Sequence, residues 1–223
     1  EKSNLNFFNS QKERQLYLVS SSISGEGKTF IASNLGIVFA HSGKKTIVVG
    51  ADLRKPRMYK EFTQENQLGI TNYVTEEYSL DEIILDTEIK NLHLIVSGPL
   101  PANPADILLK DKFSELILKL KKIYDVVILD TPPLGLVADG LSLMKYSDSN
   151  LYIVRQGYTK KDLLNYIQDL NKKGRLENSY IIINDVKEGG GAYGYGYGYG
   201  YGYGYGYGYG YGNEQYYNSE YFN

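Results

Sequence analysis

The chain has no cysteine and no tryptophan, and only two of its 223 residues are histidine. Without cysteine it can form neither disulfide bonds nor thiolate metal sites, which is consistent with a cytosolic protein. We expect His41 and His93, far apart in the sequence, to be helix-end or strand residues rather than metal ligands. A net charge of −2 argues against a general nucleic-acid binder. No hydrophobic run has the length of a membrane span, and no signal peptide is visible.

Glycine and tyrosine are concentrated near the C-terminus, and this divides the chain into two parts. Residues 1–187 have the mixed composition of a globular domain and are numerous enough to enclose a sizeable core. From residue 188 to residue 223 the sequence is dominated by Tyr-Gly repeats. We therefore predict one folded domain over residues 1–187 and a flexible tail over residues 188–223.

Short apolar segments alternate with segments of helical pattern throughout the first part of the chain. The predicted strands are Leu16–Ser20, Thr46–Gly50, Leu92–Val96, Val126–Asp130, Leu151–Arg155 and Tyr180–Asn184. The predicted helices are Thr29–His41, Leu68–Val74, Leu80–Leu85, Pro104–Lys110, Phe113–Ile123, Val137–Tyr146 and Lys160–Lys173. Wholly apolar strands are typical of a parallel sheet covered on both faces. The pattern predicts an α/β fold with a doubly wound, mostly parallel sheet, whose ligands bind beyond the carboxyl ends of the strands.

A glycine-rich segment, Ser20–Thr29, connects the first predicted strand to the first predicted helix. Glycines in such a loop let the backbone approach phosphate groups, and the helix N-terminus that follows attracts negative charge. Lys28 would reach the β- and γ-phosphates of a nucleotide, and the Thr29 hydroxyl would contact Mg²⁺. The residues predicted to bind the nucleotide are Ser24, Gly25, Glu26, Gly27, Lys28, Thr29 and Phe30. Ser22 replaces the glycine usual at the first loop position, and the alternative is a helix-capping turn with a solvated Lys28.

Two of the later strands lead into aspartates, Asp52 and Asp130. Carboxylates at the carboxyl edge of the sheet are suitable ligands for nucleotide-bound Mg²⁺, directly or through water. We predict that Thr29, Asp52 and Asp130 hold the metal, and that Lys28, Asp52 and Asp130 carry the chemistry. The alternative for Asp130 is a strand-end residue in a turn before proline, and the residues alone support Asp52 less strongly.

The loop after Asp52 is basic, with Arg54, Lys55 and Arg57 in close succession. These side chains either contact phosphates or an acidic partner, or belong to a solvated loop. The sequence leaves both alternatives open.

Taken together, the motifs resemble the cytoplasmic domain of bacterial tyrosine kinases. The resemblance is carried by Ser-Ser-x-x-Gly-Glu-Gly-Lys-Thr, by Asp-x-Arg-Lys-Pro after an apolar strand, and by apolar-Asp-x-Pro-Pro. The segment Ser97–Leu108 and the Tyr-rich C-terminus also resemble that family, so the likeness runs from about Leu16 to the end. Such kinases are similar to partitioning and septum-positioning P-loop ATPases but phosphorylate tyrosine. The resemblance implies ATP and Mg²⁺ as cofactors and ATP or ADP as ligands.

Two departures from the family pattern affect what is expected of the chain. Gly50 stands where the family usually has the first aspartate of an Asp-x-Asp motif, so the role of base falls to Asp52 or is lost. Residues 1–15 contain no Glu-x-x-Arg-x-x-Arg helix, which in the family closes a ring of subunits. We therefore expect a truncated, soluble and monomeric fragment. The resemblance implies that the full-length protein forms a ring at the cytoplasmic face of the bacterial inner membrane, with an upstream membrane-embedded polysaccharide co-polymerase portion.

The tail contains ten consecutive Tyr-Gly dipeptides, followed by Asn213–Asn223. Alternating glycine supports neither a helix nor an unpaired strand, so we predict a flexible tether ending in a cluster of hydroxyl acceptors. The tyrosines predicted to be phosphorylated are Tyr216, Tyr217 and Tyr221, in the chain's own tail or in that of a neighbouring subunit. The alternatives are an adhesive low-complexity segment and a neutral repeat expansion.

The favoured function is an ATP-dependent protein-tyrosine kinase that phosphorylates its own tail. By resemblance, it would regulate capsular or exopolysaccharide polymerisation and export. One alternative is a partitioning-type ATPase switch, and the other is a non-catalytic scaffold, which Gly50 would favour if Asp52 cannot act as the base.

Overall fold

The computed structural model describes residues 14–62, 68–134, 142–174, 176 and 178–187. The strands of the sheet are β1 Gln15–Ser21, β2 Thr46–Gly50, β3 Leu85–Asp86, β4 Leu92–Ile95, β5 Val126–Asp130, β6 Ser149–Arg155 and β7 Ser179–Asn184. Their order is β3-β4-β2-β5-β1-β6-β7, and only the β3–β4 pair is antiparallel. This confirms the predicted doubly wound, mostly parallel sheet.

Helices cover both faces of this sheet. They are α1 Lys28–His41, α2 Met58–Phe62, α3 Ile70–Thr75, α4 Leu80–Ile83, α5 Pro104–Leu109, α6 Asp111–Ile123 and α7 Lys161–Lys172, with a 3₁₀ turn at Met144–Tyr146. Alternate residues of β1 show the division, because Tyr17 and Val19 pack with α1 while Leu16 and Leu18 pack with α6. Both faces of the central strands are therefore buried, as their continuous apolar sequence predicts.

The structure differs from the predicted elements in a few places. It adds a two-residue strand, β3, and the short helix α2, neither of which the sequence pattern indicated. The helix predicted to begin at Leu68 begins at Ile70, because Gly69 is extended and passes against the end of β4. A Cβ on Gly69 would lie 2.1 Å from the carbonyl oxygen of Val96.

Some predictions fall on residues that the structure does not describe. The first half of the predicted helix Val137–Tyr146 lies there, and so do the tail and its three predicted phosphorylation sites. Among the described helices, none combines the length and the apolar composition that a membrane crossing requires.

Candidate functional site

The loop after β1 has the conformation expected of a phosphate cradle. It turns from Ser21 to the first residue of α1, Lys28, and uses left-handed backbone at Gly25 (φ 90°) and Gly27 (φ 98°). A side chain is strained at such angles. A Cβ on Gly27 would also lie 2.2 Å from Nδ2 of Asn184, so a side chain there would displace the Asn184 amide.

A cavity of about 330 Å³ opens beside this loop at the carboxyl edge of the sheet. It is lined by Ser24, Gly25, Gly27, Lys28, Thr29, Phe30, Asp52, Lys55, Arg57 and Arg155. Four of these side chains are cationic and one is anionic, so the cavity suits an anionic ligand. It brings together six of the seven residues predicted to bind the nucleotide, and also Asp52.

Glu26 is the predicted nucleotide-binding residue whose side chain does not line this cavity. Its carboxylate is fully buried and accepts hydrogen bonds from the backbone N–H of Ile23 at 2.8 Å and from the Thr159 hydroxyl. The carboxylate therefore holds the loop together rather than facing a ligand.

Ser22, which replaces the usual first glycine of the loop, is accommodated by a specific partner. Its side chain is buried, and its hydroxyl shares a hydrogen bond with the hydroxyl of Tyr152 on β6. Burial raises the pKa of the Tyr152 phenol, so this hydroxyl stays protonated at neutral pH. The departure from the usual loop sequence is therefore compatible with the loop conformation.

Asp130 lies at the centre of the sheet edge and touches the start of α1. In the strand register it stands beside Val19 of β1 and Gly50 of β2. It is only 2% exposed, and its Oδ2 accepts a hydrogen bond from the Thr29 hydroxyl at 2.7 Å. The structure thus joins two of the three predicted metal ligands directly.

Asp52 occupies a more open position on the loop after β2. It is partly exposed, and its Oδ1 accepts a hydrogen bond from the Lys55 backbone N–H at 3.1 Å. Lys55 and Arg57 line the same cavity, whereas Arg54 is exposed and does not. Asp52 therefore lines the cavity and stays open to solvent.

The space beside Gly50, where the family usually has the first aspartate, is filled by Met58. The carbonyl of Gly50 accepts a hydrogen bond from the Ser97 hydroxyl at 2.8 Å. A Cβ on Gly50 would lie 3.0 Å from the Cβ of Met58, the first residue of α2. Met58 is itself only 1% exposed, so α2 occupies the space that a longer side chain at position 50 would need.

Three residues that the sequence analysis did not single out bind the backbone of the phosphate loop through their side chains. The carbonyls of Ser24, Gly25 and Glu26 accept hydrogen bonds, each 3.0 Å long, from the Tyr158 hydroxyl, the Arg155 guanidinium and the Asn184 amide, respectively. The C=O and N–H of a trans peptide point in opposite directions. Fixing these carbonyls therefore also fixes the directions of the next N–H groups of the loop.

A Mg²⁺ ion at this site would take ligands from the protein and from the nucleotide. The part of the chain that the structure describes contains no group of three His, Cys, Asp or Glu side chains able to hold a metal ion by themselves. The Thr29 hydroxyl and the Asp130 carboxylate match the oxygen ligands of Mg²⁺, which usually keeps waters and phosphate oxygens as well.

Comparison with known proteins identifies relatives of the chain. Residues 17–182 match the family model AAA_31, described as an AAA domain. Tyrosine-protein kinase YwqD of Bacillus subtilis is 35% identical over 161 residues, which are 72% of this chain and 68% of that protein. Tyrosine-protein kinase ptk of Acinetobacter johnsonii is 33% identical over 85% of this chain, but the match spans only 26% of that longer protein.

Solved structures give the same result at the level of the fold. The kinase domain of Escherichia coli tyrosine kinase ETK superposes with a TM-score of 0.77 at 28% identity, over 87% of this chain and 77% of that one. The septum site-determining protein MinD of Pyrococcus horikoshii, complexed with Mg-ADP, superposes with a TM-score of 0.59 at 22% identity, over 75% of this chain and 67% of that one. The second likeness concerns the fold alone. The chain therefore belongs to the AAA domain family and, within it, to the bacterial tyrosine kinases.

Proposed function

We propose that this chain is an ATP- and Mg²⁺-dependent protein-tyrosine kinase that phosphorylates the tyrosines of its own C-terminal tail. The observation that carries the proposal is the hydrogen bond from Thr29 to Asp130, since Thr29 lines the cavity together with Lys28 and three further cations. Phosphoryl transfer requires mainly positioning and charge neutralisation, and this arrangement can supply both.

The two carboxylates would have different roles. Thr29 and Asp130 would hold Mg²⁺, which when bound neutralises charge on the transferred phosphoryl group. Lys28 would contact the β- and γ-phosphates. Asp52 is partly exposed, so it can orient a tyrosine hydroxyl arriving from solvent and accept its proton. The free hydroxyl, with a pKa of about 10, is otherwise protonated at neutral pH.

The tail tyrosines Tyr216, Tyr217 and Tyr221 are the proposed acceptors. They are flanked by Glu214 and Glu220, which the cavity's basic residues would attract. A glycine-rich tether of about 30 residues has a root-mean-square span of roughly 30 Å. A tail of this kind can supply tyrosines to a site on the same molecule or on a neighbour.

We extend the proposal to the cellular role by resemblance. The chain would act at the cytoplasmic face of the inner membrane, with a membrane-embedded co-polymerase portion, in capsular or exopolysaccharide polymerisation and export. This chain would be monomeric. Light scattering at micromolar concentration checks the last point, and a stable octamer would contradict it.

The test is phosphotyrosine formation when the full chain is incubated with ATP and Mg²⁺. Mass spectrometry should locate phosphate on the tail, and replacing Tyr216, Tyr217 and Tyr221 with phenylalanine should remove most of it. Phosphate confined to tyrosines of the globular part, such as Tyr17 or Tyr152, would refute the tail as substrate.

A partitioning-type ATPase switch is the second candidate, and a non-catalytic scaffold, which the space filled by Met58 beside Gly50 favours, is the third. Such a switch would hydrolyse ATP without forming phosphotyrosine. A chain that neither hydrolyses ATP nor forms phosphotyrosine would be a scaffold instead. The same incubation, with released phosphate measured in parallel, separates the three functions.

A further inference from the structure

Tyr158 combines contact with the phosphate loop and access to solvent. It lies in the turn between β6 and α7, where its hydroxyl donates to the carbonyl of Ser24 at 3.0 Å. A Cβ built on Gly25 would lie 2.9 Å from the same hydroxyl oxygen, so the oxygen rests against the loop. The residue is nevertheless 46% exposed.

Other tyrosines of the described part lack this combination. Tyr17, Tyr124 and Tyr152 are at most 4% exposed, so their hydroxyls are closed to another protein's active site. Tyr166, on the exposed side of α7, is 42% exposed but neither lines the cavity nor bonds to the loop. Tyr158 is therefore well placed for a modification to change the loop directly.

We propose that Tyr158 is a phosphorylation site through which this kinase limits its own nucleotide binding. The inference rests on the tyrosine-kinase activity proposed above. The hydroxyl oxygen of Tyr158 in one molecule would attack the γ-phosphorus of ATP bound by a second molecule. A new O–P bond forms, the bond between the γ-phosphorus and the ADP oxygen breaks, and the phenolic proton passes to Asp52 of the second molecule and then to solvent.

A second molecule is needed because of where the hydroxyl lies. It donates to the Ser24 carbonyl of its own loop, and Tyr158 does not line the cavity that contains Lys28 and Asp52. The transfer would therefore depend on encounters between molecules, and its rate should rise with protein concentration.

Phosphate on Tyr158 would disturb the loop in two ways. The hydroxyl would lose the proton that it donates to Ser24, and the added group would bring about −1.5 to −2 charges next to a site for phosphates. Arg155 lies over the Tyr158 ring, 5.3 Å from its centre, and donates to the Gly25 carbonyl at 3.0 Å. A phosphate on the ring would attract this guanidinium through charge-assisted hydrogen bonds.

The modification would therefore release two of the three side-chain hydrogen bonds to the loop carbonyls, those from Tyr158 and Arg155. The bond from Asn184 would remain. The N–H groups would lose their alignment toward the ligand, and nucleotide affinity would fall. Once a pool of molecules carries this phosphate, phosphorylation of their tails would slow.

The first experiment maps phosphate over time in the full chain incubated with ATP and Mg²⁺. We expect phosphotyrosine at residue 158 as well as in the tail, with the former increasing with protein concentration. A phosphorylated tail without phosphate on Tyr158 would overturn this inference and leave the proposed function intact. No phosphotyrosine anywhere would refute the proposed function itself.

The second experiment measures binding of a fluorescent ADP to full-chain variants whose folding is checked by circular dichroism. Tyr158→Glu should weaken binding at least about tenfold, whereas Tyr158→Phe, which loses one neutral hydrogen bond, should weaken it about threefold. Tyr166→Glu is the matched control, because its exposure is similar and it does not touch the loop, and it should bind like the parent.

Equal affinities for Tyr158→Glu and Tyr158→Phe would overturn the proposal that phosphate on Tyr158 weakens nucleotide binding. If Tyr158→Glu does not fold, the comparison is made on the parent protein, before and after a phosphatase removes the phosphate from Tyr158. An ADP affinity that does not change after phosphatase treatment would overturn the same proposal.

Discussion

The ends of β5 and β2 lie side by side in the sheet, yet they present their carboxylates in opposite environments. Asp130, at the end of β5, is 2% exposed and bonded to Thr29. Asp52, just beyond β2, is partly exposed and bonded to the backbone of its own loop. The buried carboxylate has a fixed geometry, whereas the exposed one is reachable from outside. This difference is the physical basis for assigning the metal to Asp130 and the substrate hydroxyl to Asp52.

The phosphate loop connects the two carboxylates, because its Thr29 bonds to Asp130 and its Lys28 lines the same cavity as Asp52. Replacing this lysine has the largest expected effect. Lys28→Met should reduce phosphotyrosine formation at least about 100-fold, because it removes the buried cation that we propose stabilises the transferred group. The fold should remain, since the substituted side chain is of similar length and apolar. Phosphorylation at the parental rate would show that the cavity is not the site of the reaction.

Replacing the exposed carboxylate tests its role in the chemical step. Asp52→Asn should slow single-turnover phosphorylation by about 10²- to 10⁴-fold, the usual contribution of a positioned base. Binding of Mg²⁺·ATP should change little, because the amide keeps an oxygen that can accept the Lys55 N–H. A variant that turns over normally but binds poorly would reverse the roles of the two aspartates.

The buried carboxylate should show the complementary result. Asp130→Asn should weaken Mg²⁺-dependent nucleotide binding by about 10- to 100-fold, a typical loss when a group that orients or holds a metal is removed. Binding of nucleotide without Mg²⁺ serves as the control and should be nearly unaffected. Equal losses with and without the metal would indicate that Asp130 supports the loop rather than the cation.

The smallest expected effect is that of adding a side chain at Gly50, at the end of β2. Gly50→Asp should destabilise the protein by about 1–3 kcal/mol, because a side chain there is forced against Met58. Gly50→Ala should cost less, since it adds only the Cβ. Urea unfolding of both variants measures the difference.

The activity of the same variant provides a second check. A Gly50→Asp protein that is stable and phosphorylates about 100-fold faster than the parent would assign the base to position 50. That result would leave Asp52 with a supporting role only.

Much of the site could be predicted because its parts are local in sequence. The strand, the turn with Gly25 and Gly27, and the helix at Lys28 follow one another without interruption. Asp52 and Asp130 follow apolar strands, and parallel strands bring their carboxyl ends to one edge. Local pattern and one rule of topology were therefore enough to bring these residues together.

The side-chain hydrogen bonds to the loop carbonyls were missed because their donors are distant in the sequence. Arg155 and Asn184 lie more than 120 residues from the carbonyls that they hold. Both nevertheless end strands, β6 and β7, so the rule that identified Asp130 also applies to them. The space filled by Met58 depends on a five-residue helix, α2, whose short pattern gave no usable signal.

The most direct test of the separate roles of Asp130 and Asp52 is a Mg²⁺ titration of single-turnover phosphorylation in the Asp130→Asn and Asp52→Asn variants. Our account predicts that high Mg²⁺ restores much of the rate in Asp130→Asn, because weakened metal binding is overcome by mass action. It predicts no restoration in Asp52→Asn, where the group that receives the proton is absent at any metal concentration. Restoration in both variants, or in Asp52→Asn alone, would contradict the account.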